Sequence, residues 1–317
     1  MPDPLSRAES EHLLRLATRA SVTTAAILII AKLAAYWQTG SVSILASLVD
    51  SFMDAGASLI NLLAVSYALA PPDEEHRFGH GKAESLAGMA QATFIAGSGL
   101  FLILESIQRL INPQPIEAIG VGMSIMIFSV IATLILLVIQ RHVINKTNSA
   151  AIRADALHYK TDLLTNAAII IALLLSQVGW LGFDPLFALA IAVYILYSSW
   201  EIGSEAFHDL LDHELPEKTR IQIIEMAQQH PEVRGMHDLR TRLSGRTEFI
   251  QLHLELDDDL PLIEAHEIAD QVEEKIMHAI PTADVVIHLD PVSAVDFETL
   301  PLFKRTDNQK LHLKTEG

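Results

Sequence analysis

Half of the 317 residues are hydrophobic and the mean hydropathy is +0.31, yet the formal net charge is −17. Those figures conflict for one soluble globule, and so acidic a balance rules against nucleic acid as a partner. No cysteine is present, which excludes disulfides, thiolate metal sites and cysteine catalysis, so any bound metal must rest on carboxylate and the 14 histidines.

Apolar content and acid separate along the chain. Residues 1–211 hold 17 acids and 11 bases, net −6, whereas 212–317 hold 22 and 11, net −11. A bilayer-spanning helix needs about 20 mostly apolar residues. Six stretches qualify, at roughly 22–37 (extended by its flanks), 44–69, 86–111, 119–139, 156–178 and 186–207. Residues 1–20 form a polar N-terminal arm without a small-residue cleavage site, so it does not read as a cleavable signal. The arm carries Arg7, Arg15 and Arg19, the second connection Arg77 and Lys82, and the fourth Arg141, Lys146 and Arg153. The three connections on the other side have no base, although Arg109 lies near the end of the third span. This bias places both termini in the cytoplasm. Residues 21–211 are therefore expected to form an all-α six-helix transmembrane bundle.

The informative residues are the ionisable ones inside these spans, since a centred Asp costs roughly 2.5–3.5 kcal/mol to insert. Span two carries Asp50 and Asp54, and span five carries His158 and Asp162. Both pairs are spaced i, i+4 and so share a helix face. Two such pairs facing each other make a cage of three carboxylates and one imidazole, which suits a tetrahedral divalent cation. The alternative is that each acid pairs with a base such as Lys160 or Lys32. That accounts for one acid at a time but not for the repeated spacing. Metal binding needs deprotonated ligands and expels protons, which is the coupling an antiporter requires. For Lys32 the expected arrangement is snorkelling or a neighbouring carboxylate.

The loop after span two holds Asp73, His76 and His80. Their spacing fits one metal, and equally a solvated loop with unoccupied histidines. Beyond residue 211 the chain turns polar. Residues 216–229 and 262–280 read as amphipathic helices, and 233–243, 247–256 and 283–289 as strands, with a turn at Ser244-Gly245-Arg246. The order αββαβ fits a small α+β domain over 212–292, a three-stranded sheet with both helices on one face. His237 and His253 fall on neighbouring strands, His288 and Asp290 on the last, and His266 begins the second helix. The strand edges and the helix end can converge on one point, or these can be surface histidines of a polar domain. His213, His230, His278 and His312 have no comparable convergence. His266-Glu267-Ile268-Ala269-Asp270 is a near miss of the metalloprotease helix, with its last ligand changed. Residues 293–317 read as a disordered tail.

Taken in order, Gly40-Ser41-Val42-Ser43-Ile44-Leu45-Ala46, Asp50-x₃-Asp54, Phe78-Gly79-His80-Gly81-Lys82-Ala83-Glu84, His158-x₃-Asp162 and His237-Asp238-Leu239-Arg240-Thr241-Arg242 resemble the cation diffusion facilitator family, nearest its bacterial zinc/ferrous-iron efflux members. The likeness runs over about residues 10–292. It implies a homodimeric metal/proton antiporter of the inner membrane, not an enzyme, working by alternating access. Asp50, Asp54, His158 and Asp162 would be its transport site, and Asp73, His76 and His80 a loop site. The cytoplasmic domain would be ferredoxin-like, or metallochaperone-like, with a two-metal site. There His237, His253 and Asp290 would hold one ion, and His266, His288 and the shared Asp290 the other. Lys82 and Asp212 would form a hinge salt bridge. Zinc is the implied ion, with cadmium or ferrous iron as further substrates; His158 argues against manganese, whose carriers tend to have Asp there. Leu289 departs from the Gln common in close relatives, which bears on an outer contact rather than on the ligands. The rival reading is a membrane-bound metal sensor without flux.

Overall fold

The computed structural model describes residues 7–40, 42–111, 121–177 and 183–295. The tail from residue 296 on and two of the three short base-free connections lie outside them. The chain divides into two compact units, Met1–His208 and Asp209–Gly317.

The first unit is helical, with α1 (Arg7–Thr39), α2 (Val42–Ala68), α3 (Lys82–Ile111), α4 (Val121–Thr147), α5 (Ala150–Gln177) and α6 (Phe183–Leu210). Among the described residues α1, α2, α3 and α4 are each long and apolar enough to cross a membrane. The first half of α5 differs because Arg153, Asp155, His158, Lys160 and Asp162 all fall in it. Many bundle side chains are both apolar and exposed, such as Leu63, Phe101 and Val138. In water that would be a liability; against lipid it is the expected outer surface.

From Arg7 onward the N-terminal arm continues the first span as one helix. The reason is packing. Leu14 and Ala17, one turn apart, are buried against Val65, Val143, Ala151 and Ile152, so the polar arm keeps an apolar stripe. The backbone turns at Gly40 with φ +61, a left-handed conformation that favours glycine and ends α1.

The second unit has α7 (Glu217–Gln228), β1 (Gly235–Ser244), β2 (Thr247–Leu256), α8 (Leu262–Ala279), β3 (Ala283–Pro291) and a 3-10 turn at Val292–Ala294. This is the αββαβ order expected. The sheet order is β1-β2-β3, with β1 antiparallel and β3 parallel to the central β2. Along β2, Ile250, Leu252 and Leu254 alternate into one core with Met236, Val285, Ile223 and Ile224 of α7, and Val272 and Ile276 of α8. Both helices therefore cover one face, as two-residue alternation requires. A bulge between His237 and Arg240 interrupts β1, where Asp238 has φ +47. The extra residue lets both Met236 and Leu239 pack on the core, which strict alternation would forbid. Ile250→Ala would empty the centre of this core at roughly 3 kcal/mol. Hydrogen exchange of the β2 amides in the full chain should then quicken by about a hundredfold; unchanged exchange would show that the core does not hold the sheet.

Candidate metal sites

Three ligand clusters emerge among the described residues, each with donor atoms within 4.8 Å of one another: Asp54, His158 and Asp162; Asp73, His76 and His80; and His237, His253 and Asp290.

In the bundle, α2 and α5 bring the first cluster together. His158 Nε2 lies 3.0 Å from Asp54 Oδ1 and 3.9 Å from Asp162 Oδ2. His158 is buried, and both carboxylates are half-buried. Asp50, one turn earlier on α2, is exposed and falls outside this cluster. The bases do not neutralise these acids by contact. Lys32 Nζ donates to Ser47 O at 3.0 Å and Ser51 Oγ at 2.7 Å, tying α1 to α2, and Lys160 Nζ donates to Tyr194 Oη at 2.5 Å. Lys32 thus does not snorkel; it has the neighbouring carboxylates expected, Asp54, Asp162 and Asp50, within electrostatic reach, but its hydrogen bonds go to Ser47 and Ser51.

Sequence reasoning missed Asp155. It is wholly buried on α5, one turn before His158. Ser21 Oγ of α1 donates to its Oδ2 at 2.5 Å and Gln140 Nε2 of α4 at 2.8 Å, while Gln91 Nε2 of α3 donates to Oδ1 at 3.3 Å. One carboxyl group therefore links four helices. Its signal was available as an acid at i−3 from His158, on the same stripe of α5.

The loop cluster is built by a local turn. Asp73 Oδ1 accepts from the backbone N–H of His76 at 2.6 Å and of Glu75 at 3.0 Å. The backbone N–H of His76 first, then that of Glu75, holds the Asp73 carboxyl below its usual range, so a charged ligand is ready. His76 Nδ1 lies 3.2 Å from Asp73 Oδ1, and His80 Nε2 3.2 Å from Oδ2. His80 Nε2 is buried and, despite that distance, has no partner of hydrogen-bonding geometry, while Nδ1 lies 3.4 Å from Ala70 O. A buried, unbonded nitrogen beside a carboxylate fits a metal ligand, and the nitrogen/oxygen donor set fits zinc. His80→Ala should remove about one zinc per chain; unchanged stoichiometry would reject the loop ligand set.

In the second unit, strand register makes the third cluster. His237 pairs with His253 across β1/β2, and His253 with His288 across β2/β3, so three imidazoles form one row. The next row on that face is Gly235, Glu255 and Asp290. Asp290 Oδ2 lies 2.7 Å from His253 Nδ1 and 3.4 Å from His237 Nε2, while its Oδ1 lies 3.3 Å from His288 Nε2. The two oxygens thus face different imidazoles, as a bridging carboxylate would. Leu289 between them packs on the core instead. His266 is not brought to this cluster: on α8 its Nδ1 lies 3.4 Å from Asp270 Oδ1 and its side chain is 64% exposed. His266 and Asp270 gather no third ligand among the described residues, so the near-miss protease motif stays incomplete. Asp212, with φ +58, is 3.2 Å from Arg242 Nη1.

Comparison with known proteins gives the family of the chain. Residues 18–211 match the cation efflux transmembrane domain, and 215–292 the cation efflux protein cytoplasmic domain. The chain is 53% identical over 294 residues to the cation-efflux pump FieF of Klebsiella pneumoniae, covering 92% of this chain and 98% of that one. It is 54% identical over 287 residues to FieF of Salmonella choleraesuis, covering 90% and 96%. Among solved structures, a putative zinc transporter CzrB in its zinc form covers 27% of this chain and 98% of its own, at 30% identity and TM-score 0.26. The metal-bound C-terminal domain of the CzcD transporter from Thermotoga maritima covers 25% and 93%, at 25% identity and TM-score 0.24. With both family domains matched in order and a full-length relative above half identity, this multi-pass membrane chain belongs to the cation efflux, or cation diffusion facilitator, family of transporters.

Proposed function

We propose that this transporter exports zinc-class divalent cations from the cytoplasm in exchange for protons, as a homodimer in the bacterial inner membrane with both termini cytoplasmic. The observation that carries the reading is the meeting of Asp54, on α2, with His158 and Asp162, on α5. Those are the two helices whose i, i+4 pairs supply a nitrogen/oxygen cage, with Asp50 as the fourth donor. Zinc suits such a set, and cadmium and ferrous iron are further candidates. Bound metal and bound protons compete for the same atoms. One pH unit supplies about 1.4 kcal/mol per coupled proton, or roughly tenfold in metal gradient.

The loop and cytoplasmic clusters, including His288 with Asp290, hold regulatory ions when metal is abundant. His266 joins the second cytoplasmic ion only by resemblance, and Lys82 with Asp212 only by resemblance as a hinge pair. The test is zinc uptake into liposomes whose lumen is acidic relative to the bath. Uptake should collapse when the pH gradient is dissipated. Tight binding of zinc without any uptake would favour the sensor instead and reject antiport.

A further inference from the structure

We propose that Glu255 is a positioning residue for the cytoplasmic metal site: it fixes the ring proton of His237 on Nδ1, and Gly235 is the residue that makes room for it. The inference rests on the reading of His237, His253 and Asp290 as metal ligands.

Glu255 is a carboxylate at 3% exposure, an expensive placement unless it is partnered. Its partner is His237, whose Nδ1 lies 2.8 Å from Oε1. On the other side of the same ring, Nε2 lies 3.4 Å from Asp290 Oδ2. The imidazole therefore stands between two carboxylates, and a neutral ring has one proton to give. If Nε2 carries it, an N–H faces Asp290 and the ring cannot bind metal there. If Nδ1 carries it, the Nε2 lone pair faces the point where Asp290 and His253 meet. An ionised carboxylate only accepts, so the shorter contact to Glu255 selects the second tautomer. A ligating histidine held this way is oriented and made more basic.

Register explains how the carboxylate reaches the ring. Glu255 stands opposite Gly235 on β1 and opposite Asp290 on β3. A Cβ at position 235 would overlap Glu255 Oε2 and lie 2.9 Å from its Cδ. Gly235 is not among the residues with positive φ, so its value here is space rather than backbone freedom. The empty place in the row beside the histidines is what lets Glu255 turn toward His237.

The test uses the full chain with the other two clusters removed by Asp54→Ala, Asp162→Ala, His76→Ala and His80→Ala. Zinc affinity is measured by competition with a chelating indicator. Glu255→Ala should weaken zinc binding about 10- to 100-fold at unchanged stoichiometry. Glu255→Gln should fall between, since it keeps an acceptor but loses the charge. Gly235→Ala should weaken binding when Glu255 is present and add nothing to Glu255→Ala. A general packing defect would instead cost the same in both backgrounds and would overturn the role given to Gly235. Nitrogen-15 spectra of the metal-free protein should place the His237 proton on Nδ1 and lose that preference in Glu255→Ala. Wild-type affinity or an unchanged tautomer in Glu255→Ala overturns the proposal. If His237→Ala leaves zinc stoichiometry unchanged, the ligand reading itself fails, and this inference falls with it.

Discussion

Liposomes carrying Asp54→Ala or Asp162→Ala will take up no more zinc than protein-free liposomes under the same pH gradient. Each substitution removes one of the carboxylates gathered at His158, and Asp54 is the nearer, with its Oδ1 at 3.0 Å from His158 Nε2. Alanine supplies neither the charge that binds a divalent cation nor the base that takes up a returning proton, so binding and coupling fail together. Both variants should elute as wild type does on size exclusion, because the buried contacts of Asp155 and the packing of Leu14 and Ala17 still hold the helices together. Normal uptake by either variant would show that the ion crosses elsewhere. Asp50→Ala separates two forms of the cage. Loss as complete as with Asp54→Ala makes Asp50 a ligand, and residual flux makes a water the fourth donor.

Asp155→Ala is expected to be the most damaging single change to the bundle itself. Ser21, Gln91 and Gln140 would all lose their common acceptor in a buried place. Unsatisfied buried donors cost about 1–3 kcal/mol each, so relaxation included the loss is of order 3 kcal/mol. The thermal midpoint of the detergent-solubilised chain should drop by several degrees. Asp155→Asn should be milder, since it keeps one acceptor and its amide can donate to the Gln140 Oε1 that now lacks a partner. Flux should fall in the alanine variant as well, because Asp155, His158 and Asp162 share one stripe of α5 and the carboxyl group ties that helix to α1, α3 and α4. An alanine variant that melts with wild type would mean the four-helix network carries no stability.

Much of the architecture is legible because the relevant signals are local. Apolar length marks spans regardless of their neighbours, and the limits of β2 and α8 follow from alternation and helical periodicity. The spacing Asp50-x₃-Asp54 and His158-x₃-Asp162 marks a candidate ligand face because i, i+4 is a property of one helix, although Asp50 stays outside the gathered cluster. The polar arm misleads for the opposite reason. Its helix is held by Leu14 and Ala17 against residues from α2, α4 and α5, a contact that hydropathy along the chain does not register.

The sequence by itself thus determined the two solvents of this chain, the thiol-free donor set and which helices and strands bear candidate ligands, since composition and periodicity need no partner to be read. Only the tertiary structure decided which donors meet. Register set His237, His253 and His288 in one row and left His266 beside Asp270. Packing of four helices buried Asp155, and a bare Gly235 opened the space that Glu255 fills. Each depends on distances between segments far apart in sequence, and those exist only once the chain has closed on itself.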